Sequence, residues 1–488
     1  MTEAQGSLPY DGDPRHASSS SRGGRAGLRV VALGTTCLVA FLLLLLSIFQ
    51  PAAAATAQWC LSILLSDLRP PPLPTVLSPS AVSMWKSVFP AAAAAGLLAG
   101  STSATLLYVT SYAGTITTLD LVEGAATTLE TVASTTACGA NPSWLTLDYS
   151  KSFVYCLDEA WGQPTGSVTS FYTHRNGSLT ALAKAELIAG PVNIAEFGVG
   201  GHGLAIASYA GSGVNVVSMA PEGGVELVQN ETFTLDQPGP NPERQDVPHP
   251  HQALLDPTSA FILVPDLGAD LVRVYQADAG SLKLTPIAPL KVTPGAGPRH
   301  GAFKTALNRT FYYVATELAN TIIGYEVVYN QNKTLSFSEL FTIPTHDDNR
   351  VLANGTGAGE IIVTPDEKFL ILSSRWEYSL KIPNFDASNT TQIVSDPLIS
   401  YSIDNKTGFL KKIQEFPAGG AGPRHFSINS DGNRLAVGLQ GDGRVTIIER
   451  DVRTGLLKDF VASADVAGEV NAVIFYEDYH VKRGRAVA

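Results

Sequence analysis

Two copies of Gly-Pro-Arg-His, at 297–300 and 422–425, set an arginine beside a histidine twice in a chain of 488 residues. A third histidine cluster, His249-Pro250-His251, precedes them, and Glu360 ends a Gly-Ala-Gly-Glu run. Guanidinium groups recognise carboxylate or phosphate through a planar fork of donors. Histidine and glutamate move protons near neutral pH. Together these residue types suit a small organic anion undergoing acid–base chemistry. The His-x-His spacing would also suit a metal, but no carboxylate stands at metal spacing and no zinc-type Cys/His cluster occurs. No metal or other cofactor is expected.

Residues so far apart need a fold that gathers them. The segment 297–303 recurs as 422–426, and the same grammar appears at 141–144, 190–193, 248–252 and 357–360. After each copy comes an Asn- or Asp-rich turn, then further short runs of Val, Ile, Tyr, Phe and Thr. The copies start about 48–65 residues apart, with polar insertions at 237–246, 346–355 and 383–395. Four short strands at this period make a propeller blade, whose sheet faces are buried against its neighbours. The expectation is an all-β, seven-bladed β-propeller. Six blades run from Asn141 to about Ser463, and the last is closed by Val470–Tyr476 with the strands that follow Leu106. Pairing the two chain ends removes an exposed sheet edge. Two separate β domains would leave that split blade unexplained.

Aligned on their first strands, the blades place Ser143, Asn193, His251, His300, Glu360, His425 and Asn471 around the central channel. Arg299 and Arg424 stand one residue earlier. One mouth of the channel should therefore collect three histidines, a glutamate and two arginines. The plainer alternative is that these side chains only satisfy the ends of the inner strands. Trp144 and Trp376 are read as ligand-stacking or as packing residues, and 266–270 as the tight turn between second and third strands. His174, His346 and His480 are expected to be exposed.

Pro248-His249-Pro250-His251-Gln252, the run 264–270, the first Gly-Pro-Arg-His, Ser373-Ser374-Arg375 and the second Gly-Pro-Arg-His occur in this order. They resemble the propeller-type lactonase family, its secreted fungal branch in particular. That family includes 6-phosphogluconolactonase and fungal 3-carboxy-cis,cis-muconate cyclase. The likeness spans about Leu106 to Asp478. It implies an enzyme, a lactone hydrolase or cycloisomerase, whose site combines one histidine, two arginines and one glutamate. By motif and order these fall on His251, Arg299, Arg375 and Glu317; the channel alignment offers Glu360 for the same role. The resemblance implies that Arg299 and Arg375, with His300, Arg424 and His425 nearby, hold an anionic lactone and stabilise an oxyanion. His251 or the glutamate would be the general base. A non-catalytic propeller that binds a small acid or a cell-wall component is the competing reading.

The compartment is read from the ends and the cysteines. An apolar run at 30–49 follows four arginines and is long enough to span a bilayer, with the rest of the chain outside. Met84 then begins a short basic, Ala/Leu-rich, small-x-small pattern ending at Ala104, the form of a secretory signal peptide. The expected division is 1–83 as a gene-model extension or anchor, 84–104 as signal peptide, 105–478 as propeller and 479–488 as tail. Cys138 and Cys156 suit a local disulfide in an oxidising compartment. Seven N-x-S/T sequons, at Asn176, Asn230, Asn308, Asn332, Asn354, Asn389 and Asn405, suit a glycosylated, secreted domain. Net charge is −11, and the β-rich part has no basic cluster, which argues against a nucleic-acid partner.

Overall fold

Runs of β-branched and aromatic residues cut by Gly, Pro and Asn turns form strands because extended backbone suits those side chains and the turns suit the breakers. The computed structural model describes residues 105–124, 126–148, 152–346 and 350–477. Among them, seven four-stranded antiparallel sheets follow one another. Blades 1 to 6 span 142–188, 191–232, 254–291, 298–344, 357–417 and 423–465. The closing blade combines Thr105–Ser111, Thr115–Val122 and Thr128–Thr135 with Val470–Tyr476, which pairs to Thr105–Ser111 from Leu106↔Tyr476 to Ser111↔Val470. The split blade is as the sequence implies.

Burial follows the radial order. Second strands such as Phe153–Asp158 and Phe261–Asp266 are buried along their whole length, because a neighbouring blade covers each face. Fourth strands such as Thr128–Thr135 and Val225–Thr232 are largely exposed at the rim. The apolar core is thus a set of clusters between blades. One of them joins Ala436, Val445 and Ile447 of blade 6 to Leu107, Val109, Val473 and Phe475 of the closing blade, so ring closure buries apolar area as well as pairing an edge.

Cys138 and Cys156 are joined in a disulfide that ties the exit of the closing blade to the second strand of blade 1. All seven sequon asparagines are exposed. The insertion 383–395 folds into part of an extra hairpin, Leu380–Pro383 with Gln392–Ser395. His346 departs from expectation. It is 6 % exposed, and its Nε2 lies 2.9 Å from the Glu377 carboxylate. Trp376 packs against Gly422 and Gly441, a packing role. The segments read as extension, anchor, signal peptide and tail, and His480, lie outside the described residues. No helix among the described residues is long and apolar enough to cross a membrane.

Candidate active site

The inner strands open in a repeated way. Gly297 and Gly422 hold φ of +64° and +66°, and Pro298 and Pro423 then start their strands. At Gly297 a Cβ would lie 2.5 Å from Leu318, so the turn needs glycine for space as well as for φ. In blades 1, 2, 4 and 6 and the closing blade, the residue just past the second strand returns its N–H to this turn: Glu317 to Gly297, Gln440 to Gly422, Glu159 to Asn141, Tyr209 to Gly190 and Tyr112 to Glu469. That bond, repeated from blade to blade, fixes five side chains at one mouth of the channel.

Each inner strand also carries one extra residue against its partner. The shift falls between Pro142 and Trp144, Pro191 and Asn193, Pro298 and His300, Pro423 and His425, and Val470 and Ala472. Blades 3 and 5 show it between Pro250 and Leu254 and between Ala358 and Ile361. Side chains of a regular strand alternate between faces, whereas a bulge lets two successive residues of one strand oppose a single partner. This is why Arg299 and His300, and Arg424 and His425, both serve the channel.

The single ring expected from the sequence is therefore two layers. Ser143, His251, Arg299, Arg424 and Asn471 occupy the bulge position. Asn193, Gln252, His300 and His425 occupy the next, with Glu360 beside them. The sequence alignment mixed the two layers because a one-residue bulge leaves no mark in residue types.

Many of these polar groups stitch blade to blade. Ser143 donates to the Pro191 carbonyl (2.8 Å) and Asn471 to that of Pro142 (2.9 Å). Asn193 accepts from Ala253 N–H, Gln252 from Gly301 N–H and His425 Nδ1 from Val473 N–H. The plainer expectation, that polar residues satisfy strand ends, holds for Ser143, Asn193 and Asn471.

The charged members form two linked groups. Around Glu317, Oε1 meets Arg244 Nη2 at 2.7 Å, and Oε2 meets Arg299 Nε at 2.9 Å and Arg375 Nη2 at 2.8 Å. Burial alone would raise the Glu317 pKa, but Arg375, Arg299 and Arg244 hold it well below the carboxylate range. Three guanidiniums against one carboxylate leave a local excess of positive charge. Burial and the neighbouring Arg375 push Arg299 down to about 9, which leaves it protonated at neutral pH. In the second group His251 Nδ1 lies 3.1 Å from His300 Nε2, and His300 Nδ1 lies 3.0 and 3.1 Å from the two oxygens of Glu360. Burial, reinforced by Arg299, His300, Arg424 and Arg375, holds His251 well below the usual imidazole value. Burial also brings His425 down to about 4, while His300, His425 and Arg299 overcome burial to bring Glu360 down to about 2.

A cavity of about 240 Å³ opens over these groups. Tyr209, Arg244, His251, Glu317 and Arg375 line it from the side of blades 2 to 5, and Tyr112, Glu159, Trp161, Arg424 and Gln440 from the closing blade and blades 1 and 6. His300, Glu360 and His425 stand behind His251 rather than in the lining. Arg299 is also set back: it is 1 % exposed and spends Nη1 on the Gly359 carbonyl, so it braces Glu317 instead of reaching into the cavity. Arg424 pairs with Glu159 at 3.4 Å. His249 is not in the cavity lining: it stacks on Tyr209 (4.1 Å, 15°) and lies 3.0 Å from Asp246. Trp144 sets its ring edge-on to His300 and His425, a wall of the channel.

Sequence reasoning missed Arg244, Tyr112, Glu159, Trp161, Tyr209 and Gln440. Aligning the residues just after the second strands would have found Tyr112, Glu159, Tyr209 and Gln440 beside Glu317. Arg244 sits in the insertion at 237–246, where no repeat exists to align.

Fold and site together define a seven-bladed β-propeller with a polar, arginine-rich pocket at one channel mouth. The chain belongs to the lactonase seven-bladed β-propeller family, whose model matches residues 106–475. It is 33% identical over 317 residues to the protein of Arthroderma benhamiae named "Probable 6-phosphogluconolactonase", covering 65% of this chain and 75% of that one. It is 25% identical over 321 residues to the 6-phosphogluconolactonase of Bacillus subtilis, covering 65% and 82%. Among solved structures, the periplasmic gluconolactonase of Pseudomonas aeruginosa superposes with a TM-score of 0.65 at 22% identity, over 76% of this chain and 99% of that one, a likeness of fold.

Proposed function

We propose that this chain hydrolyses a small anionic lactone, of the kind named for its 6-phosphogluconolactonase relatives, in the cavity at the channel mouth. The observation that carries the reading is His251. It is the one imidazole of the His251–His300–Glu360 chain that lines the cavity, it is neutral at pH 7, and it faces a cluster with excess positive charge. His251 takes a proton from water as the water oxygen bonds to the lactone carbonyl carbon. The carbonyl electrons move onto oxygen, where Arg375 and Arg244 stabilise the charge. As the ring C–O bond breaks, the proton on His251 passes to the leaving oxygen, and the product acid ionises. Glu317 reaches the cavity, but three guanidiniums occupy its oxygens, so it shapes the arginine cluster rather than moving protons. Carboxylate and phosphate both match these arginines.

The buried disulfide and seven exposed sequons support a place of action outside the cytosol. The test is lactone turnover on 6-phosphoglucono-δ-lactone and carboxylated sugar lactones, followed by proton release. Wild type should accelerate hydrolysis, and His251→Ala should lower kcat/KM by about 10²–10⁴-fold. Equal rates for wild type and His251→Ala on every active lactone would remove this site from the reaction.

A further inference from the structure

His251 presents Nε2 to the cavity with no hydrogen-bond partner among the described residues, whereas Nδ1 points back to His300. Which nitrogen carries the proton decides whether His251 can be a base at all, and the residues behind it settle the matter. An ionised carboxylate only accepts hydrogen bonds, so the nitrogen of His300 that faces both oxygens of Glu360, Nδ1, carries a proton. A neutral His300 then has its lone pair on Nε2 and receives the proton of His251 Nδ1. The lone pair of His251 is left on Nε2, toward the cavity.

We propose that His300 and Glu360 are positioning residues that fix His251 in the Nδ1–H tautomer and stabilise the imidazolium it becomes when it takes a proton from water. The inference rests on the lactonase reading only for its kinetic consequence; the tautomer is a property of the resting protein.

The surroundings of Glu360 agree. His425 Nδ1 accepts from Val473 N–H, which leaves its proton on Nε2, 4.0 Å from Glu360 Oε2. Two imidazole N–H groups and the nearby Arg299 thus face this carboxylate and keep it ionised. His251 is faced by Arg299, Arg375 and Arg424, all cations, so a carboxylate behind His300 is the group that offsets the charge formed during the reaction. The cavity-facing Glu317 cannot substitute, since Arg244, Arg299 and Arg375 already occupy it. Without the dyad, nothing would prevent His251 from turning its N–H toward the cavity and its lone pair inward. Such an imidazole donates a hydrogen bond but removes no proton.

Nitrogen-15 NMR of histidine-labelled wild-type protein near neutral pH reads the tautomer directly. The expected result is an Nδ1-protonated, Nε2-free His251; an Nε2–H resonance for His251 overturns the proposal. In Glu360→Gln the carboxylate charge is lost, so kcat/KM should fall about a hundredfold, mostly in kcat. The acid limb of its pH profile should move to lower pH, because removing a negative charge makes the imidazole less basic. An unshifted acid limb at undiminished kcat would also overturn it. If Glu360→Gln does not fold, the wild-type tautomer still decides. Wild type with the Nδ1–H tautomer but no turnover on any lactone would sink the enzymatic reading and leave the dyad standing.

Discussion

Equivalent positions around the channel do two different jobs. On the side of the closing blade and blades 1 and 2, Asn471, Ser143 and Asn193 are neutral and fasten one blade to the next. On the side of blades 3 to 6, His251, Arg299, His300, Glu360 and Arg424 stand at or next to the same positions and build a charged pocket. His425 has both roles, since it also accepts the Val473 N–H of the closing blade, whereas Gln252 only stitches, accepting the Gly301 N–H of blade 4. The comparison teaches that the repeat supplies a place near the axis and leaves its chemistry open. A blade whose inner strand needs no polar stitch is free to present a base or a cation there.

Substitutions on the two sides should separate these jobs. His251→Ala carries the largest expected loss, the 10²–10⁴-fold fall in kcat/KM given above. Arg375→Ala follows, with about a hundredfold fall in kcat from the lost oxyanion partner. Its KM for an anionic lactone should rise as well. On the neutral side, Asn193→Ala leaves a buried Ala253 N–H unpaired and should cost about 1–3 kcal/mol in urea unfolding, while kcat stays near wild type. If Asn193→Ala abolished turnover without unfolding the chain, the division between the two sides would fail.

Acid should act on the charged side in a definite direction. Turnover needs neutral His251, whose pKa lies below the ordinary imidazole value, so kcat/KM should hold as pH falls past 6.5 and drop only at lower pH. Stability has its own sign. With His425 depressed to about 4, the unfolded chain binds a proton between 6.5 and 4 that the folded one refuses. Glu360, depressed to about 2, acts in the same sense between about 4.5 and 2. Unfolding free energy should therefore decline as pH falls from 6.5, and a flat stability curve through that window would contradict the burial of these groups. Away from the channel, Cys138→Ser with Cys156→Ser should cost about 3 kcal/mol, the order expected for so short a loop, without touching kcat.

The ring was legible because the apolar strand runs and the Gly-Pro-Arg-His turns repeat, and strand pairing follows from such local patterns. The shared closing blade was legible because Val470–Tyr476 has a first-strand pattern, while Leu106–Val109, Thr115–Asp120 and the Thr-rich run after them read as strands two to four. The two channel layers were not legible, because a bulge is a backbone event that residue types do not record. The burial of His346 was not legible, because a loop histidine shows nothing of Glu377, which lies 31 residues onward in the chain and 2.9 Å away in space. Arg244 escaped for a related reason: its partner Glu317 is 73 residues distant and its own loop repeats nowhere.

A crystal structure of the protein with 6-phosphogluconate, the acid formed from the lactone tested above, probes the pocket most directly. The new carboxylate is expected on Arg375, with the hydroxyl released by ring opening donating to His251 Nε2, and with His300 and Glu360 unmoved behind. A product acid bound by Trp161 and Arg424 alone, with His251 untouched, would contradict this arrangement.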